Sequence, residues 1–208
     1  MQDAFHALCR QRIVPVIRTQ SASDTINVIR SLQSAGMQVI ELTTTIPNVL
    51  TIVAQCRQDW PDLILAMGTI RTAEQAQMAV DAGVSLLITY KVSEEVARCG
   101  QANKIPYILG ASTPSEVDQC LQLGSPIIKW FPASIGGPHV IRELHGPMPE
   151  AQFFPTGGIT LDSLKKWFVA GAVAVGIGGD LIRGDVYPGD AITRRAQQAL
   201  ELASHPTV

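Results

Sequence analysis

The chain has little charge of either sign, and what it has is balanced: 16 Lys and Arg stand against 18 Asp and Glu in 208 residues, a formal net charge of -2. No Lys/Arg-rich run occurs, so the clustered cations that neutralise nucleic-acid or anionic-lipid phosphates are missing, and neither partner is expected. Gly, Pro or a polar residue interrupts every apolar stretch well short of the ~20 residues that cross a bilayer. The opening residues, Met1 to Arg12, lack the apolar segment and small-residue cleavage site of a secretory signal, which makes the cytoplasm the expected location. Cys9, Cys56, Cys99 and Cys120 stand far apart, with no Cys-x-x-Cys pair and no histidine at ligand spacing. Mostly buried free thiols are expected rather than disulfides or zinc. There is also no Walker A sequence and no strand-linked Gly-x-Gly-x-x-Gly. No linker, low-complexity tract or composition shift divides the chain, so residues 1–208 read as one domain.

What the chain does have is a repeated pairing of a short apolar run with an amphipathic segment. The runs are 13–18, 38–44, 63–69, 85–90, 105–112, 126–133, 152–158 and 172–178. Their Val, Ile and Leu content is nearly continuous, which is what strands buried on both faces require, so a parallel sheet is predicted. Capping residues open the amphipathic segments at Ser21, Thr72 and Thr113. Thr113-Pro-Ser-Glu116 combines a cap, a proline at the first helical position and a glutamate placed for a capping box. Glycines 36, 83, 124 and 171 stand where a left-handed helix stop is needed before the next strand. Eight such units in about 200 residues match the lower size limit of a closed (β/α)8 TIM barrel. An open doubly wound sheet is the rival architecture.

A barrel of this kind carries its site at the C-terminal ends of the strands. Arg18, Glu41, Thr69, Lys91, Lys129 and Gly157-Gly158 end the runs. Lys129, in Pro-Ile-Ile-Lys-Trp-Phe-Pro, places an ammonium in an apolar strand, which is costly unless it is paired or neutralised. A neutral amine there attacks carbonyls to form a Schiff base; a structural ion pair with Glu41, or a lysine reaching out from an edge, is the plainer alternative. Lys91, on a loop after Tyr90, is the rival amine. Two glycine pairs, Gly157-Gly158 and Gly178-Gly179, follow the last two runs and read either as a phosphate cradle of backbone N–H groups or as two tight turns. Asp180 would repel a phosphate it faced, so it is expected to cap the following helix or to turn away. His6, His139, His145 and His205 lie in helical or terminal segments, where surface or capping roles are expected. Trp130 and Phe131 read as barrel packing.

Together these residues resemble the class I aldolases of 2-keto-3-deoxy-6-phosphogluconate and 2-keto-4-hydroxyglutarate, and most nearly their 2-keto-3-deoxy-6-phosphogalactonate branch. The likeness runs from Ile13 to Asp180. It rests on Val14-Pro-Val-Ile-Arg18, Val39-Ile-Glu41, Gly68-Thr69, Ser112-Thr113, Lys129-Trp-Phe-Pro132, Thr156-Gly-Gly-Ile159 and Gly176-Ile-Gly-Gly179. The resemblance implies a (β/α)8 barrel, assembled as a homotrimer, with no metal or organic cofactor. It makes Lys129 the Schiff-base lysine and Glu41 the general acid/base. Arg18 and Thr69 would hold the carboxylate of a small keto-acid phosphate, and Gly157, Gly158, Gly178 and Gly179 its phosphate. The implied reaction is cleavage to pyruvate and glyceraldehyde 3-phosphate. Cleavage of 4-hydroxy-2-oxoglutarate, decarboxylation of oxaloacetate, and a non-covalent sugar-phosphate barrel are the alternatives. Thr45 stands where the gluconate branch commonly has an arginine, and Asp180 where it has a serine. Thr89-Tyr90-Lys91 departs from both branches.

Overall fold

The computed structural model describes residues 2–182 and 190–204. Its strands are β1 (Ile13–Ile17), β2 (Val39–Thr43), β3 (Ile64–Gly68), β4 (Leu86–Ile88), β5 (Tyr107–Ala111), β6 (Ile127–Trp130), β7 (Gln152–Phe153) and β8 (Val175–Ile177). Helix α1 (Gln2–Gln11) precedes β1. The strands are then followed in turn by α2 (Ala22–Ser34), α3 (Val49–Asp59), α4 (Ala73–Asp81), α5 (Glu94–Asn103), α6 (Pro114–Gln122), α7 (His139–Leu144) and α8 (Leu164–Val169). After β8 come the short α9 (Gly179–Ile182) and α10 (Asp190–Ser204). Each of the eight expected runs contains a strand.

Neighbouring strands pair in parallel in the order β7-β6-β5-β4-β3-β2-β1-β8. The ring closes where Phe153 bridges Ala172 and Thr156 bridges Gly176. Closure excludes the open doubly wound sheet. The strand assigned to β7 is shorter than its apolar run, yet its ladder continues: Phe154 N donates to Ile128 O at 2.8 Å and Thr156 N to Trp130 O at 3.0 Å.

Side chains alternate across the strands, and the two faces bury different things. Outward residues such as Ile40, Leu42, Leu65, Leu87, Leu109 and Ile128 pack under the helices. Inward ones, Val14, Val39, Ala66, Leu86, Ile88, Ile108, Ile127, Phe154 and Ala174, fill the lower barrel. Helix α1 seals the bottom, its Ala7 and Leu8 belonging to that same inner cluster. Gln11 locks the seal by accepting from Gln38 N and Val39 N through Oε1 and donating to Val39 O through Nε2. The apolar filling therefore ends below the C-terminal rim, and the polar inward residues begin there.

The helix openings follow the sequence. Ser21, Thr72 and Thr113 each accept the N–H three residues on, at 3.1, 3.2 and 3.3 Å. Glu116 answers Thr113 but reaches one residue further back than a capping box does, accepting from Ser112 N at 2.8 Å. That bond holds its carboxyl below the usual range. Glycines 36, 83, 124 and 171 all take positive φ at helix ends, as expected.

All four cysteines are free, Cys56 and Cys120 fully buried and Cys9 and Cys99 partly so. Burial, with a smaller push from Asp59, raises the Cys56 thiol to about 11. Burial, assisted by Glu116, raises Cys120 to about 12. Both stay protonated at pH 8, and the thiolate is the reactive form. Titration with a disulfide reagent at pH 8 should leave Cys56 and Cys120 unmodified in the native protein, with all four reacting in denaturant. Prompt native modification of either would contradict the packing described here.

Candidate active site

Glu41 on β2 and Lys129 on β6 sit at the first polar level above the inner apolar filling. Each is flanked in sequence by outward residues, Ile40 and Leu42 on one strand and Ile128 and Trp130 on the other, so both are turned inward. They meet across the barrel: Lys129 Nζ donates to Glu41 Oε1 at 2.9 Å and to Oε2 at 3.2 Å. Lys129 is 4% exposed and Glu41 0%. The ammonium also lies 5.9 Å from the centroid of the Phe154 ring, an inward residue from the level below. Spacing in sequence left the amine open between a chemical and a structural role. The structure makes it the one buried lysine among the described residues, with a carboxylate in direct contact.

Space around the pair comes from missing side chains. A Cβ on Gly68 of β3 would overlap Glu41 Oε1, so only glycine lets the carboxylate lie where Lys129 reaches it. A Cβ on Gly176 of β8 would overlap Thr156 Oγ1, and one on Gly110 of β5 would overlap the Tyr90 carbonyl group. Three inward positions thus carry glycine because neighbouring groups already fill the space where a side chain would start, at the level where the polar residues begin.

Above the pair, Arg18 and Thr69 come together as expected. Arg18 Nη2 donates to Thr69 Oγ1 at 3.3 Å, and Nη1 to Thr45 Oγ1 at 3.0 Å. Thr45 thus supports the arginine from the position where the gluconate branch has its own. The two glycine pairs line one cavity of about 870 Å³, together with Val16, Arg18, Phe131 and Thr156. Lys129 and Glu41 are not in its lining; they adjoin it, since strand register sets Glu41 beside the lining residue Val16. Gly157 and Gly158 take φ of +102° and +75°, a turn that L side chains resist. At Gly178 closeness matters instead, since a Cβ would lie 3.3 Å from Val16 O.

Several expectations need correction. Asp180 does not turn away but lines the cavity, and its Oδ2 accepts Leu161 N at 2.9 Å, tying the β8 loop to the β7 loop. Phe131 is a wall of the cavity rather than barrel packing, tilted against Tyr90 with ring centroids 6.1 Å apart. Trp130 does pack outside the barrel. Thr156 was not among the expected site residues, yet its hydroxyl is buried at the cavity wall with no protein partner. Its signal was available: it follows inward Phe154 by two residues, so it shares that face. Lys91 is exposed, and its carbonyl accepts Gly110 N at 3.1 Å. His6 and His139 are exposed as expected, while His145 packs edge-on against Phe153 at 5.2 Å. His205 lies outside the described residues.

The role of Gly68 can be measured as stability. Its φ is ordinary, so alanine there meets no backbone strain, and the three atoms nearest the added methyl all belong to Glu41. Separating a buried ion pair costs about 3–5 kcal/mol. Urea denaturation of Gly68→Ala should show a loss of that order. Gly179→Ala, whose Cβ would meet nothing within 4 Å, should stay within about 0.5 kcal/mol of the parent. Equal stability of the two variants would mean that Glu41 has another place to go.

The "KDPG and KHG aldolase" family model matches residues 5–194. A 2-dehydro-3-deoxy-phosphogluconate aldolase of Treponema pallidum (strain Nichols) is 30% identical over 97% of this chain and 98% of its own. A relative from Escherichia coli (strain K12) named for 2-dehydro-3-deoxy-6-phosphogalactonate is 26% identical over 90% of each chain. Among solved structures, a 4-hydroxy-2-oxoglutarate/2-dehydro-3-deoxyphosphogluconate aldolase from TTHB1 superposes with a TM-score of 0.86 at 31% identity, covering 97% of this chain and 98% of that one. The KDPG aldolase of Legionella pneumophila, solved with pyruvate captured as a covalent carbinolamine, gives a TM-score of 0.82 at 26% identity, covering 97% and 96%. With a family model spanning nine-tenths of the sequence and a barrel that superposes from end to end, the chain belongs to the KDPG and KHG aldolase family.

Proposed function

We propose that this protein is a class I aldolase that cleaves a 2-keto-3-deoxy-6-phospho sugar acid to pyruvate and glyceraldehyde 3-phosphate, with Lys129 as the amine and Glu41 as the acid/base. The observation that carries the reading is the 2.9 Å contact between Lys129 Nζ and Glu41 Oε1 beside a glycine-walled cavity. The pyruvate carbinolamine held by the Legionella pneumophila relative is the adduct such an amine would form.

Proton bookkeeping follows from that contact. Lys129 passes a proton to Glu41, and its freed lone pair attacks the C2 ketone to give a carbinolamine. The protonated Glu41 returns the proton to the departing hydroxyl, water leaves, and an iminium remains. Glu41, again a carboxylate, takes the proton of the C4 hydroxyl. The C3–C4 electron pair flows into the iminium, releasing the phosphorylated aldehyde and leaving an enamine. Protonation at C3 and hydrolysis then release pyruvate and restore the amine. The apolar lower barrel excludes solvent from beneath the pair, which strengthens the interaction between amine and carboxylate.

Binding is divided between two kinds of donor. Arg18 and Thr69 hold the substrate carboxylate through side chains, and the arginine fork matches a carboxylate with two charge-assisted bonds. The N–H groups of Gly157, Gly158, Gly178 and Gly179 hold the phosphate. Asp180 Oδ2 is directed toward Leu161 N and links the two glycine turns. The proposal extends to a single working domain over residues 1–208, to a location in the cytoplasm, and to the homotrimer that the family resemblance implies. Among the described residues no helix is long and apolar enough to cross a membrane.

Borohydride reduction in the presence of pyruvate, followed by peptide mass spectrometry of the wild-type protein, tests the amine directly. The adduct is expected on the peptide carrying Lys129; an adduct on Lys91, or none, would overturn the assignment. Arg18→Ala should weaken binding by about 1.5–3 kcal/mol, the value of a charged hydrogen bond. That loss should appear in KM and be equal for a phosphorylated substrate and its unphosphorylated analogue. A loss confined to the phosphorylated compound would move Arg18 to the phosphate end.

A further inference from the structure

Thr69 has a backbone that its side chain does not favour. Its φ is +63°, in the left-handed region where β-branched residues are outliers. Something outside the residue must hold it there, and the contacts identify what does. Thr44, one residue beyond β2, donates its backbone N–H to Gly68 O at 3.0 Å and its side-chain hydroxyl to Thr69 O at 2.9 Å. One residue therefore grips two consecutive carbonyls of the turn that leaves β3. Gly68 in that turn is the residue whose missing side chain admits Glu41, and Thr69 Oγ1 is the acceptor of Arg18 Nη2 at 3.3 Å.

We infer that Thr44 is a positioning residue for this reaction: its hydroxyl holds the Gly68–Thr69 turn so that Thr69 Oγ1 faces Arg18 and the substrate carboxylate. The inference rests on the reading of Thr69 as a carboxylate ligand. Thr44 touches neither the reacting atoms nor the cavity lining, so its effect passes through Thr69. A carboxylate ligand in an unfavoured conformation loses its direction when the side-chain bond to its own carbonyl goes, while the Lys129–Glu41 chemistry stays in place.

The test is Thr44→Val, which keeps the branched shape and the backbone N–H and removes only the hydroxyl; Thr44→Ala replaces it if the valine variant folds poorly. Product inhibition by pyruvate should weaken about threefold to tenfold, the range one net hydrogen bond supplies. KM should rise in step, with kcat within about twofold. Inhibition by inorganic phosphate should not change, and Thr44→Ser should restore pyruvate binding. Unchanged pyruvate inhibition in Thr44→Val, weakened inhibition by both ligands, or failure of serine to rescue would each overturn the inference. Thr69→Ala separates the two layers. If it weakens pyruvate binding and Thr44→Val does not, the positioning role alone fails. If it too leaves pyruvate binding unchanged, the carboxylate-ligand reading fails and the inference falls with it.

Discussion

A carboxylate with none of its side chain exposed and an ammonium with 5% exposed, 2.9 Å apart, are the most expensive polar atoms in this barrel. Both have given up most of their water, and each is tolerable only because the other is there. The rest of the upper barrel is arranged around that mutual dependence. Gly68 cannot carry a side chain, because Glu41 occupies the space. The strands that present the pair must be buried on both faces, which requires helices outside and apolar side chains below. The seal made by Ala7 and Leu8 of α1 keeps solvent from reaching the pair through the bottom.

The same interior divides sharply along its axis. Below, Val, Ile, Leu and Phe fill the barrel; above, glycines on β3, β5 and β8 admit neighbouring polar groups, and a hollow opens beside the glycine turns of the last two strands. A packed lower half gives rigidity, and that hollow gives room for a ligand without any movement of strands. Closure between β7 and β8 matters for the hollow as well, because the Thr156–Gly176 bridge is what brings a hydroxyl against the missing Cβ.

The parts of this design that were legible in the sequence are those with a strong local cause. Buried parallel strands need continuous apolar runs, and helix caps need particular residues at fixed offsets, so all eight runs and the three caps were readable. Lys129 and Glu41 stood out because charge inside an apolar run is rare. Helix α1 carried no comparable signal, since its few apolar residues plug a barrel that the sequence does not display. Phe131 and Thr156 lie just past their strands, where facing is settled by a ladder that continues beyond the assigned strand. Counting by twos from Lys129 and from Phe154 would have found them. The partners of Asp180 and Thr44 were not readable at all. Each depends on the shape of a neighbouring loop, 19 residues away in one case and 25 in the other.

That difference in legibility bears on how substrate preference is divided in the proposed function. The phosphate end is built from backbone N–H groups on glycine turns, which any sequence keeping those turns will present in the same way. The carboxylate end is built from side chains that lean on one another: Arg18 on Thr45 and Thr69, and Thr69 on Thr44. Such an end can be rebuilt with its charge supplied from another strand, provided the supports change with it. Here the arginine comes from β1, and the position that would otherwise carry it holds a threonine whose hydroxyl props the replacement at 3.0 Å. Thr45 and Arg18 are therefore one unit. An arginine introduced at position 45 would place a second cation against the first and remove its support, so moving the charge to that position requires changing both residues together.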